Sequence, residues 1–539
     1  MAHPGNAYDF IVIGGGSAGC VLAHRLSASG SHAVLLIEAG GRDVHPTIHV
    51  PGLAGQTLRR PGLMWDFVAE PDASRDDLVT PWRAGRVLGG GSSVNGLVWV
   101  RGHDEDFNTW ADRGCEGWDA DSVRPFFERA ESFSGPVGSG RRGRNGPMHI
   151  EPVSARHAMT DAFVASAVEA GHDFTADYNG SSMIGVGHGQ ANIRRGFRHS
   201  TARAYLGAAA RRGNLRIATR TFARRLLFED GRVTGVEVER RGRISVVRAR
   251  REVVLAAGGM SSPKILMLSG VGPAEKLAEH GIPVVRDSPG VGQNLQEHPV
   301  TQMLWNVRVP TFNLDFHPLG MARHGVPFVL KGEGPAASSF FHALLFLKLD
   351  AASRHPEIEC GFSPFAITTI SKTKPHQMQM SDQPMVSAYV SLLHARSRGE
   401  IALRSADPRD RPAIRHQMFQ DPRDLQDLIE GCRRVRDVFN ESPLAELVVD
   451  EAAPTLDVSS DDEWAEHLRR DVRGASHATG ACRMGGDDLS VVDARLRVRG
   501  VEGLRVADGS IMPEVTSGNT NAPIVMIGEK ASDMILADA

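Results

Sequence analysis

The chain has 539 residues, of which 41% are hydrophobic and 23% charged, and this is enough for two or more lobes around a large core. Its 61 Lys and Arg residues nearly balance 64 Asp and Glu residues, and the net charge of -3 leaves no positive field to attract nucleic acid. The five scattered cysteines form no C-x-x-C pair, which argues against a disulfide framework and a zinc site, so no metal is predicted.

Neither a leader nor a membrane span is predicted. The N-terminal sequence MAHPGNAYDF lacks a basic segment followed by a long apolar stretch. No later segment approaches the roughly 20 apolar residues that a membrane span requires. We therefore expect a cytoplasmic protein.

The N-terminal segment YDFIVIGGGSAGCVLAHRLSASGSHAVLLIEAGG predicts a strand, a tight turn, a helix and a second strand. Residues 10–13 form the continuous apolar run that a parallel strand buried on both faces requires, and residues 34–37 form another. Gly30 lies where the helix is expected to end. Between the strands, four apolar residues recur at helical spacing: Ala18, Val21, Leu22 and Leu26.

Three glycines between the first strand and the helix match the G-x-G-x-x-G template. Gly14 allows the turn, Gly16 allows a pyrophosphate to approach the backbone, and Gly19 allows close packing of helix on strand. Glu38 ends the second strand, where its carboxylate suits the hydroxyl groups of an adenosine ribose. A glycine-rich packing turn would give the same letters, but the whole pattern favours a dinucleotide. The acidic side chain of Glu38 disfavours NADP, and the choice between NAD and FAD stays open.

A second glycine cluster, GRVLGGGSSVNG at 85–96, interrupts an otherwise apolar region. Its plainest interpretation is a flexible loop. Apolar residues on both sides, however, favour backbone pressed against a flat ligand.

At this point the sequence resembles the glucose–methanol–choline (GMC) family of FAD-dependent oxidoreductases, over essentially the whole chain. The motifs that carry the resemblance are GGGSAG with Glu38-Ala39-Gly40, the cluster 85–96, GGMSSPKILMLSGVG (258–272), GVGQNLQEHP (290–299), SHATGACRMG (476–485) and VADGSIMPEVTSGNTNAPIVMIGEKASDMI (506–535).

The resemblance implies an α/β protein of two lobes. A Rossmann-like FAD-binding domain would comprise residues 1–155, 215–300 and 460–539. A discontinuous substrate-binding domain, built on an antiparallel sheet with helices, would comprise residues 156–214 and 301–459.

The resemblance also implies a set of FAD contacts. Some relatives bind FAD covalently through a histidine at the position of Val94, and valine has no nucleophile, so we expect non-covalent FAD. For the motif that contains His298, we expect only a structural turn that braces the domain. The predicted FAD contacts are Gly14, Gly16, Ser17, Ala18, Glu38, Ala39, Arg86, Gly90, Gly91, Ser93, Val94, Asn95, Gly96, Val98, Ala223, Ala257, Gly258, Asp508, Gly509 and Asn521.

His477 and Asn521 are the predicted catalytic residues. A lone histidine in an apolar stretch usually fills a buried slot, but alcohol oxidation needs a base with a pKa near neutrality. The family places such a histidine in the motif that contains His477, and a second His or Asn at the position that we match to Asn521. Asn521 also precedes a helical run, so it is a candidate N-cap of a helix whose positive end would point towards the flavin.

In the substrate lobe, SSFFHALLFLKLD and MVSAYVSLLHARSRGEIALRS predict sheet strands, joined by an irregular stretch at 363–384. The large side chains of this lobe would be explained equally well by core packing or by a pocket for an apolar or aromatic substrate. The candidates are Phe340, Phe341, Phe365 and Met385.

The predicted function is FAD-dependent oxidation of a small neutral primary alcohol to an aldehyde, with O2 or a quinone as electron acceptor. Three alternatives stay open: a lyase of the hydroxynitrile type without net redox turnover, a choline-type dehydrogenase, and a non-catalytic flavin-binding protein. Choline-specific relatives tend to carry an aromatic residue before the catalytic histidine, where it can hold a quaternary ammonium. Ser476 stands there in this chain, which favours a neutral alcohol.

Overall fold

The computed structural model describes residues 7–136, 141–315, 318–370 and 378–539. Two seven-stranded sheets organise the fold. Within the described ranges, no helix is both long and apolar enough to cross a membrane.

The first sheet has a parallel centre. Its order is Leu215–Ala218, Val34–Ile37, Ala7–Ile13, the end of Arg243–Leu255, and Leu504–Val506, with each neighbour parallel. Residues 10–13 and 34–37 of the central strands are apolar and almost fully buried, as a sheet covered on both faces requires. The two predicted N-terminal strands are confirmed.

The helix Ser17–Leu26 follows the first strand, as predicted, and Gly30 just beyond it has a φ of +80°. The C-terminal helix Asn521–Asp538 packs closely on it. A Cβ atom at Gly528 would lie 3.0 Å from the Cβ of Val21, so glycine at this position suits the close spacing of the two helices. The packing brings the N-terminus of the C-terminal helix beside the glycine turn.

One edge of the first sheet continues as an antiparallel meander. Phe222–Glu229 pairs with Arg232–Arg240, which pairs with the beginning of Arg243–Leu255. The second hairpin turns at Gly242, whose φ is +76°.

The second sheet is antiparallel throughout. Helix Pro422–Asn440 packs against one of its faces, where Phe439 stacks on Trp305. Its strands, in spatial order, are Val448–Ala452, Pro299–Val307, Met385–Leu392, Ile358–Ser363, Ala343–Leu347 and Gly185–His188, and Arg473–Gly474 pairs with Pro299–Val307.

The stretch 363–384, predicted to be irregular, contains a short hairpin of Ile367–Ile370 and Met378–Met380. The β-branched run ITTI favours a strand, which the prediction overlooked. Residues 371–377 lie outside the described ranges.

Further elements surround the sheets. Longer helices are Asp104–Asp112, Ala120–Ala130, Ala158–Glu169, Ser261–Leu268, Pro318–Lys331 and Asp461–Asp471. Short helices are Pro46–His49, Ala54–Thr57, Ala274–Glu279 and Leu444–Leu447. Small sheets are formed by Met64–Val68 with Pro81–Gly85, Glu131–Phe133 with Met148–Pro152 and Gln190–Ala191, Ile193–Arg194 with Phe197–Arg198, Val271–Gly272 with Arg286–Asp287, and Glu400–Ala402 with Ala413–Arg415.

The predicted two-lobe α/β class is confirmed. All strands of the first sheet fall in the ranges predicted for the FAD-binding domain. Those of the second sheet fall in the substrate-binding ranges, apart from Arg473–Gly474 and the beginning of Pro299–Val307. The domain limits themselves stay a prediction.

Candidate active site

A cavity of about 1170 Å³ runs from the carboxyl ends of the first sheet's parallel strands to the inner face of the second sheet. Ligands of open parallel sheets bind at this edge of the strands. All predicted FAD contacts except Ser93 line it: Gly14, Gly16, Ser17, Ala18, Glu38, Ala39, Arg86, Gly90, Gly91, Val94, Asn95, Gly96, Val98, Ala223, Ala257, Gly258, Asp508, Gly509 and Asn521.

The three glycines of the first turn differ in what surrounds them. A Cβ atom at Gly14 would lie 2.3 Å from the carbonyl oxygen of Ala256, and one at Gly19 would lie 1.8 Å from the oxygen of Gly14. At Gly16 the nearest protein atom would be 3.9 Å away, and the residue faces the cavity. Gly14 and Gly19 are therefore required by the fold, whereas the space beside Gly16 is open to a ligand.

Glu38 is held by backbone amides. Its Oε2 accepts a hydrogen bond from the Gly15 amide at 2.8 Å, and its Oε1 accepts one from the Gly40 amide at 2.6 Å. Burial raises the pKa of Glu38 to about 7, against the opposing effect of these amides and of Arg86. Each oxygen keeps a free lone pair for a hydroxyl group in the cavity.

The cluster 85–96 is a tightly packed turn, not a flexible loop. A Cβ atom at Gly90 would lie 2.7 Å from the Cα of Gly16, so the two glycine turns touch. The buried guanidinium of Arg198 donates to the side chain and to the carbonyl of Asn95, each at 2.7 Å. Arg198 thus fixes the cluster from a distant part of the chain, and sequence reasoning missed it.

Ser93 does not reach the cavity. Its hydroxyl donates a 2.8 Å hydrogen bond to the carbonyl of Leu88, which stabilises the turn. Val94 does line the cavity, and its side chain packs in a small cluster with Ile48, Met64 and Val87.

His477 lies at the end of the cavity nearest the second sheet. Its Nδ1 is 2.9 Å from Nδ1 of His298, and its Nε2 is 3.3 Å from Nδ2 of Asn519. Burial lowers the pKa of His477 to about 4, so the imidazole is neutral near neutral pH.

These contacts select one tautomer of His477. An amide NH2 group only donates hydrogen bonds, so Nδ2 of Asn519 requires a lone pair on Nε2 of His477. The proton of the neutral ring is then on Nδ1, which donates to Nδ1 of His298. The nitrogen that faces the cavity is therefore the one able to accept a proton.

Glu297 shapes the backbone beneath the two histidines. Its Oε1 accepts hydrogen bonds from the backbone amides of His477 at 2.7 Å and His298 at 3.0 Å. Burial raises the pKa of Glu297 to about 8. The adjacent Ser476 has a φ of +67°, a left-handed conformation that the tight turn into His477 imposes.

The two asparagines of the motif that contains the second predicted catalytic residue have different partners in the structure. Asn519, not Asn521, faces His477. Asn521 begins the C-terminal helix, its Oδ1 accepts a 2.8 Å hydrogen bond from the hydroxyl of Ser17, and its Nδ2 is buried without a partner among the described residues. Asn521 is not the N-cap either, since Thr520 holds that position. The sequence GNTN contains two asparagines. Because the helix begins at Asn521, the side chain of Asn519 contacts His477 and that of Asn521 contacts Ser17.

His298 was predicted to be only a structural brace, and the structure gives it a direct contact with the imidazole of His477. Phe340 and Phe341 line the cavity as expected of pocket residues, together with Tyr389, which the prediction missed. Phe365 packs edge-on against Phe340, and Met385 lies in a buried cluster.

Comparison with known proteins identifies the family. The family models of GMC oxidoreductases match residues 8–300 with the N-terminal domain and residues 395–528 with the C-terminal domain. The chain is a GMC oxidoreductase.

Relatives of this GMC oxidoreductase match it over nearly its full length. It is 40% identical to the oxygen-dependent choline dehydrogenase of Brucella anthropi, over 98% of this chain and 95% of that protein. Its structure resembles pyridoxine 4-oxidase from Mesorbium loti, with a TM-score of 0.87, 30% identity and coverage of 97% and 98% of the two chains. It also resembles formate oxidase from Aspergillus oryzae, with a TM-score of 0.92, 27% identity and coverage of 100% and 99%.

The cavity of this GMC oxidoreductase fits FAD. Gly16, Gly91 and Gly258 leave open space along one wall, where no protein atom would lie within 3.8 Å of an added Cβ. The unpartnered Nδ2 of Asn521 and the uncapped start of its helix supply donors for an anionic group. Glu38 would hold the ribose of the adenosine. The protein is therefore an FAD-dependent enzyme that oxidises a CH–OH group.

Proposed function

We propose that this enzyme oxidises a small neutral primary alcohol to the aldehyde, with His477 as the catalytic base. The supporting observation is that Nε2 of His477 and Nδ2 of Asn519 both lie in the wall of the cavity, where Asn519 donates a 3.3 Å hydrogen bond to the Nε2 lone pair. An alcohol oxygen that replaces this contact and lies against both atoms donates its proton to Nε2 and accepts a hydrogen bond from Nδ2 of Asn519. When FAD is bound, it supplies the acceptor for the hydride that leaves the carbon.

His298 acts as a positioning residue in this proposal. Once His477 has taken the substrate proton, both its ring nitrogens carry hydrogen, and Nδ1–H still donates to His298. His298 stays neutral as the acceptor, because burial and the neighbouring His477 lower its pKa well below the usual value. The cationic ring therefore keeps a hydrogen-bond partner in a buried site.

A neutral substrate agrees with the apolar wall of the cavity. Phe340, Phe341 and Tyr389 form an aromatic cluster there, and their ring centroids are 5.1 to 5.5 Å apart. Such a cluster suits a planar or apolar alcohol. O2 or a quinone would then reoxidise the reduced cofactor.

Anaerobic mixing of the yellow holoprotein with benzyl alcohol tests the proposal. Loss of the oxidised flavin absorbance, with formation of benzaldehyde, is the expected result. An unchanged flavin spectrum with every alcohol would contradict oxidation, and a lyase would then be the better description. In air, peroxide formation compared with reduction of a quinone identifies the electron acceptor.

Choline oxidation is a second candidate, because relatives 40% identical over 98% of the chain are choline dehydrogenases. The aromatic cluster could hold a quaternary ammonium by cation–π contacts. Choline is therefore included as a substrate in the same anaerobic experiment. Faster flavin reduction by choline than by any neutral alcohol would favour this candidate.

A further inference from the structure

Glu359 lies on the inner face of the second sheet, in the wall of the cavity that contains His477. In the sheet register it stands opposite Phe346 on one side and Ser391 on the other. Ser391 stands opposite Val300 in turn, and both also line the cavity. Directly opposite residues share one face of a sheet, so this row faces the substrate side of the cavity.

No hydrogen bond or ion pair within the described residues explains the burial of the Glu359 carboxyl group. The residue is 4% exposed, and its Oε1 is buried without a hydrogen-bond partner among the described residues. It forms no ion pair with any residue in the described part of the chain. A buried carboxylate without a cation or donors is costly, whereas a neutral carboxylic acid is tolerated.

Burial is accordingly the cause that raises the pKa of Glu359 to about 8. Near neutral pH the group is protonated, and its O–H is a hydrogen-bond donor without an acceptor in the part of the chain that the structure describes. A buried carboxylic acid of this kind can donate a hydrogen bond to a ligand.

The other titratable groups around Glu359 stay uncharged near neutral pH. Burial raises the pKa values of Tyr178, Tyr389 and Cys360 well above their usual ranges. Arg473 is the cation in this row, and it stands opposite Val300 at the far end. The aromatic cluster of Phe340, Phe341 and Tyr389 adjoins the carboxyl group on this wall.

We propose that Glu359 determines substrate specificity by donating a hydrogen bond, as a neutral acid, to an acceptor atom at the far end of a ring-bearing alcohol. This rests on the proposed function, in which the carbinol group lies at His477 and Asn519. The substrate class is a neutral alcohol whose ring stacks on the aromatic cluster and carries a carbonyl, ether or heteroaromatic acceptor.

The test compares three alcohols of nearly the same shape with the purified holoenzyme. They are benzyl alcohol, the pyridylmethanol with its nitrogen para to the carbinol group, and the N-methylated cation of that pyridylmethanol. At pH 7, where the pyridine nitrogen is unprotonated, kcat/KM for pyridylmethanol is expected to exceed that for benzyl alcohol about tenfold, the upper range of one neutral hydrogen bond. The cation is expected to be the poorest substrate.

Two variants identify Glu359 as the donor. Glu359→Gln keeps a neutral donor and is expected to keep the preference for pyridylmethanol, whereas Glu359→Leu removes the donor and is expected to abolish it. In the wild type the preference is lost as pH rises through about 8, because the carboxyl then loses its proton. In Glu359→Gln the preference is expected to be independent of pH.

Three outcomes would overturn the inference: equal preference in the wild type and Glu359→Leu, loss of the preference in Glu359→Gln, or the cation as best substrate. The last two would mean that a carboxylate binds a cation. The proposed function is tested separately, because reduction of the flavin by benzyl alcohol needs no acceptor on the ring. Flavin absorbance and the thermal midpoint of each variant show that it is folded and loaded.

Discussion

Asn519 and Asn521 are two residues apart in the same motif, yet the backbone gives them different partners. Asn519 precedes the C-terminal helix and reaches His477, whereas Asn521 is in the first turn of that helix and is bonded to Ser17. The two positions therefore form a matched pair in which the same substitution has different consequences.

We expect Asn519→Ala to keep FAD and to lower the rate of flavin reduction roughly 10²-fold, the cost of removing one donor to a developing oxyanion. Asn521→Ala is expected to weaken FAD retention, because its free Nδ2 faces the cavity, while the rate per bound flavin stays within about threefold. Anaerobic stopped-flow measurements and the flavin-to-protein absorbance ratio check both. The reverse pattern would restore Asn521 as the catalytic partner.

His477→Ala tests the base itself. The variant is expected to remain yellow and to lose flavin reduction about 10²–10⁴-fold, the usual contribution of a positioned base. Equal rates of flavin reduction in the variant and the wild type would mean that His477 only fills space in the core.

His298 is expected to act only through His477. His298→Ala removes the acceptor of the Nδ1–H group, so the tautomer of His477 is no longer fixed, and the reduction rate is expected to fall at least about tenfold. His298→Asn places a hydrogen-bonding oxygen where Nδ1 was, and it is expected to restore most of the rate. If alanine and asparagine were equally slow, the effect of His298 would be one of packing.

The sequence alone predicted the positions of residues that belong to short local motifs. Gly16 and Glu38 belong to one strand–turn–helix–strand unit, so their spacing already predicts their place. The pairing of His477 with His298 joins residues 179 apart, and no local pattern reports it. Glu359 gives no sequence signal either, since an acidic residue in a strand becomes unusual only when the sheet buries it.

At the scale of elements, the glycine turn and the start of the C-terminal helix form one unit around the cavity. Within this unit, Gly16 borders open space in the cavity, since the protein atom nearest to an added Cβ is the carbonyl oxygen of Ala256 at 3.9 Å. A larger side chain there would occupy ligand space without disturbing the packing of the helix Ser17–Leu26.

Gly16→Val is therefore expected to yield folded, colourless protein that does not take up added FAD. Gly207→Val is the matched control, because an added Cβ there meets no atom within 4 Å and the residue is outside the cavity. That variant is expected to stay yellow. Flavin absorbance and circular dichroism check both, and a yellow Gly16→Val protein would place the diphosphate elsewhere.

Elements with a strong period or an apolar run were predicted well, as the first two strands and the helix between them show. The hairpin Ile367–Ile370 with Met378–Met380 was missed. It is a small satellite of two strands with no long apolar pattern, and only β-branched propensity pointed to it.

At the scale of the molecule, the cavity depends on two sheets whose strands come from interleaved parts of the chain. Leu504–Val506 completes the parallel sheet beside a strand from the first half of the sequence, and Arg473–Gly474 joins the second sheet. Only the family resemblance predicted this interleaving, because periodicity assigns elements but not their partners. The packing of the two sheets around the cavity also buries several ionisable groups.

Those buried groups predict how stability depends on pH. Burial raises the pKa values of Glu297 and Glu359 to about 8 in the folded protein. Between their ordinary values near 4.5 and about 8, the folded state binds more protons than the unfolded state, so stability falls as pH rises. Buried neutral histidines such as His477 act in the opposite direction, but only below their ordinary value of 6.5.

The thermal midpoint is therefore expected to fall by a few degrees between about pH 6.5 and 8, where the effect of the buried carboxyl groups predominates. Glu297→Gln keeps the oxygen that accepts the amides of His298 and His477 but removes the titration, so its midpoint is expected to change less over this interval. Glu466→Gln is the control, because the Glu466 side chain is 80% exposed and lies far from this network. Differential scanning fluorimetry of the three proteins measures the slopes. Equal slopes would mean that Glu297 is already ionised in the folded protein, held by the backbone amides that converge on it.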